Sequence, residues 1–254
     1  MPPFLVLAIA AFRTIAAYVL VSLYVLLVAP PGMLLAVIFE WPDVLYRLAI
    51  GGASLGLALT GIRYRVTGPG RVLDRPAIYC LNHSSNIEPI VFFLVVRKLF
   101  PRLKVIYKWE LRKLPLLGRC FAIANFVPID RSNREQSSRA IEQAARQIRD
   151  GDSFIVFPEG TRSRTGELLP FKKGAFVLAI AAQAPLVPVA VIGAREAMTK
   201  GSLVIWPVVV TVRIGVPVET AGTTYDDRDR LTGEVRNRIA ALLAQGPAEA
   251  IDRR

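Results

Sequence analysis

The first sixty or so residues are so apolar that they restrict what this chain can fold into. Residues 14–39 carry no charged side chain, and a second uncharged run covers residues 48–62. Pro30, Pro31 and Gly32 interrupt the first run, and proline inside a helix removes a backbone hydrogen bond. The pattern therefore predicts two short apolar helices around a Pro-Pro-Gly break, forming either a hairpin dipped into one leaflet or two tilted spans.

This apolar segment is interpreted as a retained membrane anchor rather than a signal peptide. No basic region precedes it, and no clear small-residue cleavage site follows it. The uncharged part before Pro30 is about 16 residues long, or roughly 24 Å of helix, which is short of the roughly 30 Å hydrocarbon core. We expect residues 1–62 to form a membrane-associated helical segment, followed by a second domain over residues 63–254.

From Arg63 onward the sequence alternates between short strands and helices. Strands are predicted at residues 63–67, 77–81, 103–107, 124–129, 153–157, 186–192 and 208–216. Helices are predicted at residues 90–99, 134–149, 173–183 and 228–244. Strands that alternate with helices are typical of a mostly parallel sheet covered by helices on both faces, which is the α/β architecture that we expect.

The basic charge of the chain indicates an anionic partner. The net charge is +12, with 32 Lys and Arg against 20 Asp and Glu. The basic residues occur singly or in pairs, without a long run of the nucleic-acid-binding type, and each one close to an anionic bilayer contributes about 1 kcal/mol of attraction. Membrane lipids or a phosphorylated substrate are therefore the expected partners, and nucleic acid is not.

Neither a metal nor a bound cofactor is expected. The chain has a single histidine and no cluster of ligand residues. Cys80 and Cys120 lie far apart, without C-x-x-C spacing, in apolar runs. They are interpreted as small core residues in a reducing compartment.

A first candidate motif runs from Asn82 to Glu88, between a predicted strand and a predicted helix. Functional groups gather at the carboxyl ends of strands in open α/β sheets. His83 is the only histidine of the chain, and a neutral imidazole can take a proton from an alcohol near pH 7. In a turn, the Glu88 carboxylate could fold back and orient the ring. Alternatively, Ser85 and Glu88 form a capping box that only begins a helix.

Two further candidate motifs also follow strands. In residues 157–163, Gly160 would let the backbone approach a ligand, Thr161 offers a hydroxyl, and Arg162 can bind phosphate through its planar fork. The alternative is a solvated turn with a capping threonine. Residues 127–131 end in Arg131, for which a structural ion pair with Asp130 is the simpler interpretation.

Taken in order, these motifs resemble the glycerolipid acyltransferases typified by 1-acylglycerol-3-phosphate acyltransferase. His83 with Glu88 matches the His-x-x-x-x-Asp block of that family, although the family usually has Asp where this chain has Glu88. Glutamate keeps the charge and adds one methylene. The other matching blocks are residues 129–131, 157–162 and 187–190. The segment between the first two blocks is also similar, at Lys108, Glu110, Pro115 and Gly118.

The resemblance implies an enzyme that moves a fatty acyl group from an acyl thioester to the free hydroxyl of a lysophospholipid. The expected acceptor is 1-acylglycerol 3-phosphate, giving phosphatidate, and the donor would be acyl-CoA or acyl-carrier protein. His83, oriented by Glu88, would act as the base without a covalent enzyme intermediate. The active site would lie at the cytoplasmic face of a membrane. The residues implied in substrate binding are Lys108, Arg131, Glu159, Gly160, Thr161 and Arg162.

Three alternatives remain open at the level of sequence. The acceptor could be another lysophospholipid or polar lipid, or the chain could be a non-catalytic membrane-binding module. Residues 52–56 also match the G-x-S-x-G elbow of serine hydrolases, which must lie between a strand and a helix. Ser54 instead lies inside an uncharged run, where Gly52 and Gly56 indicate a helix-packing face.

Overall fold

Two helices precede an α/β unit in the computed structural model, which describes residues 2–248. The helices are α1 (Pro3–Ile38), α2 (Asp43–Thr60), α3 (Ile87–Val95), α4 (Pro115–Ile123), α5 (Arg134–Arg149), α6 (Gly174–Ala182), α7 (Ala194–Ala197) and α8 (Arg228–Ala244). The strands are β1 (Arg63–Thr67), β2 (Ile78–Leu81), β3 (Leu103–Lys108), β4 (Val127–Ile129), β5 (Ser153–Val156), β6 (Leu186–Ile192) and β7 (Val209–Ile214).

The seven strands form one sheet in the order β1-β7-β6-β2-β5-β3-β4. Neighbouring strands are parallel throughout, except that β7 runs antiparallel to β6. Five strands from β6 to β4 therefore share one direction, and β7 and β1 run the opposite way. The expected mostly parallel α/β sheet is confirmed.

Strand β2 lies near the middle of the sheet and is buried on both faces. Tyr79 and Leu81 pack into one core with helix α3, whereas Ile78 and Cys80 pack into a second core with helices α5 and α6. All four side chains are fully buried. Because alternate residues of a strand point to opposite faces, this short apolar run fixes β2 between two layers of helices. Its carboxyl end is consequently a rigid place from which to present a side chain.

The predicted helix break at the Pro-Pro-Gly sequence was wrong. Helix α1 continues through Pro30, Pro31 and Gly32 to Ile38, and the chain turns back only afterwards, at Glu40, whose φ is 50°. A side chain at Gly32 would overlap Leu48 of α2, so the second helix packs directly on this part of the first. Tertiary packing along α1 therefore overrides the local preference of the two prolines, which alone would end a helix.

The glycines of α2 form the packing face that the sequence predicts. A Cβ atom at Gly52 would lie 3.2 Å from the Tyr24 ring, and one at Gly56 would lie 3.6 Å from Val21. The absence of side chains thus lets α1 and α2 approach closely. Ser54 lies within α2 rather than between a strand and a helix, so residues 52–56 are not a nucleophile elbow.

Helix α1 is both apolar on its surface and tied to the α/β unit. It is the one helix among the described residues that is long and apolar enough to cross a membrane. In its N-terminal half, the Thr14 hydroxyl oxygen accepts a hydrogen bond from the Ile205 backbone N–H at 2.9 Å, and the Tyr18 hydroxyl donates to the Leu203 carbonyl oxygen at 3.1 Å. These contacts join residues on the two sides of the predicted domain division after residue 62, and that division stays a prediction.

Candidate active site

The sheet brings the three sequence motifs to one edge. His83 follows the last residue of β2 by two positions, Arg131 follows β4 by two, and Glu159 follows β5 by three. These three strands run in the same direction, so their carboxyl ends share an edge. Lys108, the last residue of β3, pairs with Ile129 of β4 at that edge as well. Parallel strands separated in sequence thus place all of the motif loops beside one another.

His83 and Glu88 form a hydrogen-bonded pair. The Nδ1 atom of His83 lies 2.8 Å from Oε2 of Glu88, in the first turn of α3. The Glu88 side chain is fully buried, whereas the His83 side chain is 18% exposed. The ring also lies against Phe157, with ring centroids 4.2 Å apart. Because Nδ1 faces the carboxylate, the Nε2 atom is the ring nitrogen left to accept a proton from a substrate.

Glu88 also satisfies the backbone ahead of helix α3. Its carboxylate accepts hydrogen bonds from the Ser84 N–H at 2.8 Å, the Ser84 hydroxyl at 2.6 Å and the Ser85 N–H at 3.1 Å. The Ser85 hydroxyl accepts from the Ile87 N–H rather than from the N–H of Glu88, so the reciprocal capping box does not form. The capping-box alternative is therefore met only in part: the Glu88 carboxylate holds the backbone at the helix start, and it also contacts the His83 ring.

Glu159 is a buried carboxylate engaged by two backbone amides. The His83 N–H donates to its Oε1 at 2.6 Å, and the Leu169 N–H donates to its Oε2 at 2.9 Å. Burial raises the pKa of Glu159, and the two amide hydrogen bonds oppose that rise. The resemblance implies that Glu159 binds substrate, but here both oxygens hold the backbone. The side chain fixes the position of His83 through its main chain.

The loop after β5 is joined to the turn that carries His83, and it has positively charged side chains. The Ser163 N–H donates to the His83 carbonyl oxygen at 2.7 Å. Gly160 has a φ of 71°, and a Cβ there would lie 3.0 Å from Lys172 and 3.3 Å from Arg131. The Arg131 guanidinium donates to the Gly160 carbonyl oxygen, and burial lowers the pKa of Arg131. The glycine therefore lets two cationic side chains reach the loop backbone.

The remaining predicted substrate ligands lie at the same edge with different degrees of freedom. Arg162 is half-buried and Thr161 is exposed. The Lys108 ammonium lies 3.0 Å from Glu110, and both side chains are more than half exposed. The hydrogen bond from Lys108 lowers the pKa of Glu110. Lys108 is thus partly neutralised, whereas no carboxylate among residues 2–248 pairs with Arg131 or Arg162.

Two residues of the site were not singled out from the sequence. The Asn82 side chain accepts from the Val191 N–H at 2.7 Å and donates to the Val191 carbonyl oxygen at 3.0 Å, which ties the end of β2 to β6. The Lys200 ammonium donates to the Thr161 hydroxyl oxygen at 3.2 Å and to the Arg162 carbonyl oxygen at 2.9 Å. Asn82 lies beside His83 in the motif and could have been found there, whereas nothing in the sequence around Lys200 marks it.

A buried carboxylate that contacts a lone histidine, beside a cationic loop at the strand ends of an α/β sheet, is an arrangement typical of enzymes that use a histidine base. The family model described as Acyltransferase matches residues 63–192. A 1-acyl-sn-glycerol-3-phosphate acyltransferase of Limnanthes douglasii is 36% identical over 205 residues, which cover 78% of this chain and 71% of that protein. The chain belongs to the acyltransferase family.

A second relative agrees with this assignment, and a solved structure has the same fold. A 1-acyl-sn-glycerol-3-phosphate acyltransferase of Saccharomyces cerevisiae is 31% identical over 190 residues, covering 74% of this chain and 62% of the yeast protein. The crystal structure of the 1-acyl-sn-glycerophosphate (LPA) acyltransferase PlsC from Thermotoga maritima superimposes with a TM-score of 0.76. That alignment covers 96% of this chain and 98% of the other at 22% identity, so it bears on the fold alone.

Proposed function

We propose that this chain transfers a fatty acyl group from an acyl thioester to the free hydroxyl of 1-acylglycerol 3-phosphate, giving phosphatidate. The observation that carries the proposal is the 2.8 Å contact between His83 and the buried Glu88, next to a cationic loop. The names of the plant and yeast relatives supply the acceptor. The basic side chains at the same edge of the sheet suit the phosphate of such a lipid.

His83 acts as the general base and then as the general acid. Nε2 takes the proton of the acceptor hydroxyl while the hydroxyl oxygen attacks the thioester carbonyl carbon. The carbon–sulfur bond then breaks, and the leaving thiolate receives the proton from Nε2. Glu88 keeps the proton on Nδ1 and stabilises the imidazolium between these steps. Such acid–base catalysis contributes roughly 10²- to 10⁴-fold to the rate.

The acceptor phosphate is bound by the cationic edge. Arg131, Arg162 and Lys108 supply charge, and Thr161 and the backbone at Gly160 supply hydrogen-bonding groups. Holding phosphate and hydroxyl at fixed points near Nε2 converts a bimolecular encounter into an oriented one, which accounts for a further part of the rate. Glu159 contributes by fixing the His83 main chain rather than by contacting the lipid.

The reaction takes place at a membrane surface. Helix α1 exposes large apolar side chains along its length, including Phe4 and Phe12, each 73% exposed. A surface of that kind favours contact with lipid, and the lysophospholipid acceptor resides there. The active site faces the cytoplasm, where acyl-CoA and acyl-carrier protein are available as co-substrates. No bound cofactor takes part in the proposed steps.

An acyl-transfer assay on the purified chain tests the proposal. The protein in mixed micelles is given radiolabelled oleoyl-CoA or oleoyl–acyl-carrier protein with a panel of acceptors: 1-oleoylglycerol 3-phosphate, lysophosphatidylcholine, lysophosphatidylglycerol and 1-oleoylglycerol. We expect labelled phosphatidate from wild type, and a loss of roughly 10²- to 10⁴-fold in His83→Ala. Ser54→Ala is the matched control, because Ser54 lies inside α2, and it should retain full activity.

Each other outcome assigns a different function. Transfer to another lysolipid in preference to 1-oleoylglycerol 3-phosphate would replace the acceptor but keep the mechanism. An acyl group trapped on Ser54 would favour a hydrolase. If wild type transfers nothing to any acceptor and His83→Ala binds vesicles equally well, the chain is a membrane-binding module and the proposal is wrong.

A further inference from the structure

Lys200 lies between the two motif loops without an acidic partner. It is half-buried, and no carboxylate among the described residues is within ion-pair distance of it. Its ammonium donates to the Thr161 hydroxyl oxygen and to the Arg162 carbonyl oxygen. A half-buried cation kept without a carboxylate favours an anion at this position.

The contact with Lys200 also decides what Thr161 can do. A hydroxyl has one donor hydrogen and accepts through its lone pairs. Because the Thr161 oxygen accepts from the ammonium, its own hydrogen must point away from Lys200. The Thr161 side chain is exposed, so this hydrogen is left for a ligand. Lys200 therefore makes Thr161 a donor, which is the role that a phosphate oxygen requires.

The short segment around Lys200 touches both motifs. The Met198 carbonyl oxygen accepts from the Ser85 hydroxyl at 2.8 Å, next to the turn that carries His83. The Arg195 guanidinium donates to the Arg164 carbonyl oxygen at 3.0 Å, beyond the other motif. A displacement of this segment would consequently alter the distance between the base and the phosphate-binding loop.

We infer that Lys200 is a positioning residue for the acceptor phosphate, acting through the Thr161–Arg162 backbone and the orientation of the Thr161 hydroxyl. The inference rests on the proposed function and adds a residue that neither the sequence motifs nor the names of the relatives indicate. A merely structural role for Lys200 would change stability and both substrates alike. A positioning role changes the acceptor alone.

The decisive experiment compares Lys200→Met with Lys98→Met in the full chain. Lys98 pairs with Asp74 and lines a cavity with Ser153, the first residue of β5, so it lies at the opposite edge of the sheet. Both variants lose one positive charge. We expect Lys200→Met to raise KM for 1-oleoylglycerol 3-phosphate about 10- to 100-fold, the size expected for lost hydrogen bonds to a charged group. KM for oleoyl-CoA and the values for Lys98→Met should stay near wild type.

A double-mutant cycle with Thr161→Val tests the route. If Lys200 acts through Thr161, the double variant should be little worse than the poorer single variant, because the second change removes an interaction already lost. Lys200→Arg keeps donors at this position and should recover part of the acceptor KM. Equal changes in both KM values, or strictly additive effects with no recovery by arginine, would overturn the inference.

A binding measurement separates this inference from the proposed function. The melting temperature of each variant is followed during titration with 1-oleoylglycerol 3-phosphate and, separately, with 1-oleoylglycerol, which lacks the phosphate. We expect Lys200→Met to weaken the response to the phosphorylated lipid alone. If the wild type is inactive but Lys200→Met still responds more weakly than wild type to the phosphorylated lipid alone, the proposed function is wrong and the role of Lys200 stands. If the wild type is active and the two proteins respond equally, the role of Lys200 is wrong.

Discussion

Replacing Glu88 by glutamine should prevent His83 from acting as a base while leaving its side chain in place. In the wild type, Oε1 of Glu88 accepts from the Ser84 hydroxyl and from the Ser84 and Ser85 amides, whereas Oε2 faces Nδ1 of His83 at 2.8 Å. The oxygen of a glutamine amide would therefore take the Oε1 position, and its NH₂ group would face the ring. An NH₂ group only donates, so Nδ1 would become the acceptor and the ring proton would move to Nε2.

The size of the effect follows from that proton. With Nε2 protonated the ring cannot accept the hydroxyl proton, and Glu88→Gln should lower kcat by roughly 10²- to 10⁴-fold, or about 2.7 to 5.4 kcal/mol in the barrier. The Ser84 N–H lies 3.0 Å from Oε2 but also donates to Oε1 at 2.8 Å. It therefore keeps an acceptor in Glu88→Gln, and the variant should remain folded.

The assay combines kinetics with nitrogen NMR, because His83 is the only histidine of the chain. With ¹⁵N-labelled histidine, we expect a protonated Nδ1 in the wild type and a protonated Nε2 in Glu88→Gln. Glu88→Asp keeps a charged acceptor, so it should retain the wild-type tautomer and lose less activity. Ser84→Ala is the structural control, since it removes a hydrogen bond to Glu88 without changing the acceptor at the ring. A folded E88Q enzyme with near wild-type kcat would refute the reasoning, as would an unchanged tautomer.

Two further predictions concern the support of the site. Glu159→Gln should lower the free energy of unfolding by about 1 to 3 kcal/mol, because the glutamine NH₂ group would face the backbone N–H of either His83 or Leu169. We expect this loss even though the change removes a buried charge. Urea denaturation measures it, and an equal or higher stability would contradict the prediction. Gly118→Ala should destabilise the protein by about 1 to 3 kcal/mol, because the new Cβ would overlap the Arg112 carbonyl oxygen. Gly233→Ala in α8 should instead stabilise the protein by about 0.5 to 1 kcal/mol, because a Cβ there meets nothing within 4 Å. Thermal unfolding of both variants checks the pair, and similar shifts in the two would speak against it.

The regular elements could be predicted because their signals are local. Helix α5, strand β6 and helix α8 begin and end where the apolar periodicity and the turn residues indicate. Helix α4 was missed, since Pro115 and Gly118 near its start are residues that disfavour a helix interior. The Pro-Pro-Gly sequence led to a wrong prediction because its local preference for ending a helix is strong, but the contacts of α1 with α2 outweigh that preference.

The candidate site could be predicted only where its residues are close in sequence. The turn from His83 to Glu88 contains both partners of the key hydrogen bond, so the motif itself suggests the pairing. The orientation of Glu159 depends on a backbone amide in another loop, and the contact of Lys200 with Thr161 depends on how β6 and β5 are ordered in the sheet. Contacts of that kind come from the fold and leave no trace in local spacing.

The hydrogen bonds of Thr14 and Tyr18 make the first helix difficult to exchange. Both side chains bond the backbone at residues 203–205, just beyond the segment that carries Lys200. A chimera that joins helix α1 of one relative to the α/β unit of another would separate these hydrogen-bonding partners, even if the exchanged helix were equally apolar. We therefore expect active hybrids only when the first helix and the segment at residues 203–205 come from the same parent, although these two segments are far apart in the sequence.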